Sequence, residues 1–136
     1  MICSETEIRV RYAETDKMGI AYHANYFTWF EVARVQMLDE LGTPYRDLEA
    51  EGYLLPVLEC RAKFLRSAFF DDLLMVKTFI EEPPLARIQV RYEVVRGEEL
   101  LCKGETVHGF VTTKGEVTRP PARFVELARV RFQEQD

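Results

Sequence analysis

The first pattern along the chain is alternation. In "TEIRVRY", Ile8, Val10 and Tyr12 fall on one side and Glu7, Arg9 and Arg11 on the other, the period of a half-buried strand. "ETDKMG" breaks that period. From Tyr26 the spacing turns helical. Tyr26, Phe30, Ala33, Met37 and Leu41 recur at steps of four, three, four and four, and Phe27, Trp29 and Leu38 widen the apolar face. Asn25 is placed to cap the start of this helix, and Gly42 followed by Pro44 to stop it. A helix so apolar belongs inside a fold.

A short polar connection around "RDLEAEG" then leads into four strand-like runs. These are the segment Leu54 to Phe64, "LLMVKTFIE", the cleanly alternating "RIQVRYEVV", and a long run from Leu100 to Thr113. Pro83-Pro84 and "RGEE" read as turns between them. "TTKGEVT" is a further turn, and "PARFVELARVRF" reads as a closing helix with proline at its start. Strand, helix, then four antiparallel strands is an α+β order. One curved sheet wrapped round one long helix buries both apolar surfaces. With no repeats, low-complexity segments or linker, residues 1–136 read as a single domain.

Composition narrows the function more than the fold. Hydrophobic residues make up 47% of the 136, enough for one core, and the net charge is −5. That acidic balance disfavours a nucleic-acid partner, which needs clustered Lys and Arg. "MICSETEIRV" has neither the basic nor the apolar region of a signal peptide. Apolar runs are too short to span a membrane. Cys3, Cys60 and Cys102 are an odd, scattered set without C-x-x-C, so neither disulfides nor a cysteine zinc site is expected. The cytoplasm is the simplest compartment.

The chemical inventory is short. Ser4 and Ser67 are the two serines, and neither sits in G-x-S-x-G. His23 and His108 are too isolated to suggest a metal cluster. No dinucleotide or P-loop glycine motif occurs. What remains is Asp16, a carboxylate just ahead of a helix start. Unpaired N–H groups there carry a partial positive charge. A carbonyl between them and Asp16 would be polarised on its oxygen and would face the carboxylate with its carbon. Gly19 allows the tight path between the two.

The run "VRYAETDKMGIAYHANYFTWFEVAR" is also similar to the N-terminal signature of the 4-hydroxybenzoyl-CoA thioesterase family, in particular its YbgC-like acyl-CoA thioesterase branch. The resemblance implies a hot-dog fold: a long central helix, a curved antiparallel sheet of about five strands around it, and here a short C-terminal helix. It implies hydrolysis of an acyl thioester of coenzyme A or an acyl-carrier protein, with coenzyme A as part of the substrate and no separate cofactor or metal. Asp16 matches the catalytic carboxylate, as nucleophile or general base. His23 matches the position whose backbone N–H holds the carbonyl oxygen, and Tyr22 and Asn25 match flanking pocket positions. Glu31 and Arg34 match a recurrent helical pair. Members form dimers, often paired into tetramers, with the thioester at the subunit interface. The chain departs from the pattern at Ser67, where the family often has proline. In the turn "EEPPLAR", only Arg87 is left to meet the phosphates. Lys63, Arg66, Arg119 and Arg123 are other candidates for them.

Plainer readings stand beside these. Asp16 could cap a turn, and His23 could bond only locally. Glu31 and Arg34 could form an ordinary i,i+3 pair, with Glu31 as a reserve acid. His108 reads as a core or interface histidine, and Cys60 and Cys102 as small buried residues. Trp29, Phe30, Phe69 and Phe70 read as core or interface, with a minority lining an acyl tunnel. Two other functions fit the same residues: an enoyl-thioester hydratase or dehydratase of this fold, and a non-catalytic acyl-CoA-binding module.

Overall fold

The computed structural model describes residues 1–134. The first strand, β1 (Ile2–Arg9), buries Ile2, Ser4 and Thr6 and exposes the residues between them. The alternation therefore starts earlier than "TEIRVRY", and it ends sooner. Val10 is buried, but the chain then enters a 3-10 turn at Tyr12–Glu14, and Tyr12 is exposed rather than inward.

Helix α1 (Asn25–Leu41) follows. It buries Tyr26, Trp29, Phe30, Ala33, Met37, Leu38 and Leu41, the face its apolar spacing predicts. Ala24, not Asn25, stands at the cap position and makes no side-chain cap bond. The far end closes as expected on Gly42, at φ +98°. Gly42 N–H donates to Asp39 O and Thr43 N–H to Leu38 O, the paired bonds of a Schellman ending.

The polar connection is in fact a short helix, α2 (Tyr45–Ala50), held by the one buried residue Leu48. The run from Leu54 divides at Pro56 into β2 (Tyr53–Leu54) and β3 (Val57–Phe64). Then come β4 (Leu73–Ile80), β5 (Arg87–Arg96) and β6 (Glu99–Gly109). The final run breaks at buried Phe110, so that β7 (Val111–Thr112) pairs with β2 in a separate small sheet. Helix α3 (Ala122–Glu134) closes the chain, burying Phe124 and Ala128.

The main sheet is antiparallel, in the order β1-β4-β5-β6-β3. Val76 and Ile80 from β4, Ile88, Val90, Tyr92 and Val94 from β5, and Cys102, Gly104, Thr106 and His108 from β6 are buried beneath α1. Phe30 lies flat on Tyr92, with ring centroids 4.3 Å apart and planes 11° apart. Gly104 makes room for it: a Cβ there would sit 2.3 Å from Phe30 Cζ.

One edge strand is unlike the rest. β3 pairs only with β6, and every residue of it except half-buried Ala62 is exposed, among them Val57, Leu58 and Phe64. Cys60 is therefore exposed, against expectation, while Cys102 is buried.

Candidate active site

The loop between β1 and α1 is fastened along its length. Val10 N–H donates to Asp72 O, and Asp71 N–H donates to Val10 O. Thr15 then bridges Ala21, and Ile20 bridges Phe69. Inside the resulting turn, Asp16 N–H donates to Ile20 O and Gly19 N–H to Asp16 O. Gly19 takes φ +80°, a conformation glycine adopts without strain.

Glu14 supplies the deepest anchor, and sequence reasoning passed over it. The residue is 4% exposed, and its carboxylate is fully engaged. It accepts from Arg11 N–H at 2.8 Å, from the Trp29 indole Nε1–H at 2.9 Å and from the Arg11 guanidinium at 3.4 Å. Burial alone would raise its pKa. The bonds from Arg11 N–H and Trp29, with the Arg11 side chain and its charge, outweigh burial and hold the carboxyl below its usual range. The Glu14 carbonyl also accepts from Tyr22 N–H and from Asn25 Nδ2 at 2.8 Å. Asn25 is thus spent tying the loop to α1 rather than shaping a pocket wall. A signal existed: Glu14 is in phase with the inward set Ile8 and Val10, and a buried tryptophan N–H needs an acceptor.

These ties set Asp16 and His23 on one cleft of about 300 Å³, lined also by Ile20, Tyr26, Phe64 and Arg66. Asp16 is half-buried. Its Oδ1 accepts from Met18 N–H at 2.8 Å, so the turn-capping reading holds as far as that oxygen goes. Oδ2 makes no bond among the described residues. At the helix start, Asn25 N–H donates to Tyr22 O and Tyr26 N–H to His23 O. The N–H groups of His23 and Ala24 have no acceptor among the described residues. The His23 ring lies 4.4 Å from the Tyr22 ring and meets the Phe64 ring edge-on at 6.2 Å. Burial pushes the Tyr26 hydroxyl up to about 12, so it stays protonated and cannot act as a base near neutral pH.

The proposed phosphate contacts do not gather here as a set. Arg66 lines the cleft and is exposed. Lys63 does not, because strand alternation turns Phe64 toward the cleft and Lys63 to the opposite face, where it lies beside Lys103 and Arg61. Arg87 lies apart from the cleft, in a groove on that outer face lined by Glu81, Glu82 and Glu105 and also by Arg61 and Arg91. Tyr22 is exposed and does not line the cleft. Glu31 and Arg34 form no ion pair; Arg34 Nη1 donates instead to Tyr92 OH at 3.1 Å.

Residues 10–133 match the family model of the thioesterase-like superfamily. The chain belongs to that family. A relative named putative acyl-CoA thioesterase YneP, from Bacillus subtilis, is 44% identical over 82 residues, 60% of this chain and 59% of that protein's length. The acyl-CoA thioesterase YbgC of Haemophilus influenzae is 36% identical over 97 residues, 71% of each chain. Among solved structures, a DHNA-CoA thioesterase from Staphylococcus aureus superposes with a TM-score of 0.90 at 36% identity, covering 98% of this chain and 93% of that one. The hot-dog architecture and the YbgC-like signature read from residues 10–34 agree with these likenesses. Among the described residues, no group of His, Cys, Asp or Glu could hold a metal ion, and no helix is long and apolar enough to cross a membrane.

Proposed function

We propose that this chain hydrolyses acyl-CoA thioesters to a free acid and a thiol at the cleft between Asp16 and the start of α1. One observation carries the reading: Asp16, with one carboxylate oxygen unbonded, and His23, whose backbone N–H is unspent, line the same small cleft, and the equally unspent N–H of Ala24 comes next in the chain. The thioester oxygen sits against the N–H groups, where the helix dipole favours the developing negative charge. Asp16 either attacks the carbonyl carbon or takes a proton from an attacking water. Arg66, beside the cleft mouth, meets a phosphate of the coenzyme. The names borne by the relatives support this substrate class.

The exposed β3 edge supports self-association, since an unpaired strand edge with apolar residues on it is a template for another strand. A dimer formed there places a second chain beside Phe64 and Arg66, at the cleft.

Asp16→Asn tests the chemistry. It retains the size of the side chain and removes the charge. The expected result is loss of about 10²- to 10⁴-fold in thiol release from acyl-CoA, with substrate binding retained. Turnover at the parent rate would remove Asp16 from the reaction. Enoyl-CoA hydration measured on the same samples separates hydrolysis from the hydratase alternative, and acyl-CoA binding without thiol release in the parent would favour the binding-module alternative.

A further inference from the structure

The two edges of the main sheet are finished differently. The β1 edge is defended: α1 packs against it, and Gln36 Nε2 donates to Glu5 O. β3 has no such cover among the described residues, and all of it but half-buried Ala62 is exposed. A bare edge offers unpaired N–H and C=O groups to another strand. Which strand it admits is decided by its side chains.

Glu59, Arg61 and Lys63 stand on the outer face, where Arg61 meets Glu105 at 3.4 Å. Glu59 and Lys63 are exposed and form no ion pair among the described residues. Cys60, Ala62 and Phe64 stand on the face beneath α1, opposite Thr106, Gly104 and Cys102 of β6. Leu58 is an extra residue, because Val57 pairs with His108 and Glu59 with Val107, a bulge that ends the regular ladder. The regular stretch is therefore Glu59–Phe64. An unspent acid at one end of it and an unspent base near the other are complementary to the same stretch run backwards. The partner that fits is a second copy of this chain, related by a two-fold axis.

Residues directly opposite in an antiparallel pair share a face, so the axis falls on a residue and not between two. With the axis at Ala62, Arg61 of each copy meets the partner's Lys63, which is repulsive. With it at Cys60, the bulge at Leu58 falls inside the ladder. With it at Arg61, Glu59 meets the partner's Lys63 at both ends, Cys60 meets the partner's Ala62, and the bulges lie outside. The two Arg61 side chains then flank the axis, each held by Glu105 of its own chain. Beyond the partner's Glu59, the extra residue brings the partner's Val57 opposite Phe64, on the same face. Val57 and Phe64 are 45% exposed each, and Phe64 lines the Asp16 cleft.

We infer that two copies join β3 to β3 about an axis at Arg61, that Glu59–Lys63 ion pairs across the seam select this register, and that the partner's Val57 supplies a wall of the Asp16 cleft against Phe64. The register rests on the self-association proposed above and deepens it; it does not depend on the reaction.

The experiment reads assembly of the full chain by analytical ultracentrifugation and by cysteine cross-linking with diamide. Glu59→Lys or Lys63→Glu alone should weaken the dimer by about 10- to 100-fold, since two opposite-charge pairs become two like-charge pairs, and the two changes together should restore it. In a Cys3→Ser background, Ala62→Cys should give a covalent dimer through Cys60 of the other copy, whereas Cys60 without that change should give none. With Cys60→Ser added to Cys3→Ser, the pair Val57→Cys and Phe64→Cys should also cross-link; those positions lie roughly 20 Å apart along one strand, so such a bond can form only between chains. A monomer at micromolar concentration would overturn the association and the register together. A Cys60–Cys60 bond in the parent, no rescue by the double charge exchange, or no link between positions 57 and 64 would overturn the register while leaving the association standing. Should the Phe64→Cys chain not fold, the charge exchange and the behaviour of Cys60 decide the matter alone. Because no turnover is read, a failure here is separate from a failure of the proposed hydrolysis.

Discussion

Replacing Glu14 with glutamine keeps the outline of the side chain and removes its charge. The carboxylate accepts from two N–H groups at 2.8 and 2.9 Å, Arg11 N–H on Oε1 and the Trp29 indole on Oε2. A glutamine has one oxygen, so its amide NH₂ must face one of those donors. One charge-assisted bond is lost, about 2 kcal/mol, and the other becomes a neutral bond, weaker by about 1 kcal/mol. The sum, about 3 kcal/mol, lowers the melting temperature of a chain this long by about 10 °C. The main-chain bonds from Tyr22 and Asn25 to the Glu14 carbonyl survive, so the variant should still fold. The loop holding Asp16 loses its anchor to α1, however. A displacement of about 1 Å at a reacting group can cost about 10²-fold, so kcat should fall at least tenfold with KM little changed. Thermal unfolding followed by circular dichroism gives the first quantity, and turnover well below the variant's melting temperature gives the second. The pH dependence has a definite sign. The folded pKa of Glu14 lies below its unfolded value, so its contribution to stability is present above the unfolded pKa and is lost as pH falls through the folded one. Stability of the parent should therefore drop more steeply with acid than that of Glu14→Gln. A melting shift under 2 °C, with parallel acid profiles, would refute the anchoring argument.

Gly104→Ala forces a methyl group against Phe30 Cζ and should destabilise by about 3 kcal/mol in denaturant unfolding; adding Phe30→Leu in the same chain should recover part of that loss. His108, held down to about 4 chiefly by burial and then by the charge of Arg34, should keep a neutral ring in ¹⁵N spectra to well below pH 6. The unfolded chain takes up that proton nearer pH 6.5, so the contribution of His108 to stability is lost as pH falls between those values, and a ring titrating near 6.5 would contradict the buried placement. Cys102, pushed up to about 12 by burial, should resist a thiol reagent until the chain unfolds, whereas exposed Cys3 should react at once.

Much of this arrangement is legible in the sequence, and the gaps have physical causes. The helix from Asn25 to Leu41 is plain because burial inside a sheet demands a wide apolar face over several turns. Gly42 and Pro44 mark its end because few residues take φ +98°. The short helix at Tyr45–Ala50 is hidden, since it buries a single residue, Leu48, and leaves no period to detect. Tyr12 misleads because alternation continues in the letters after the backbone has turned. The closeness of Asp16 and His23 is readable from their spacing around a glycine turn. The role of Glu14 is harder to see, because a charged residue beside a strand is ordinarily taken as facing water. Lys63 and Arg87 could not be separated from Arg66 by residue type alone; the outward parity of Lys63 beside Phe64 and the place of Arg87 in a different groove become visible only when the strands are set in register.

The segment that carries Asp16 is stitched down by its bridges to Ala21 and Phe69 and by the Glu14–Trp29 bond. If Asp16 acts as proposed, the ordering cost of the segment is met once, when the chain folds, and not again at each turnover. Discrimination between guests then falls to whatever borders the opening from outside, and exchanging those borders would alter what is accepted without disturbing the reacting groups.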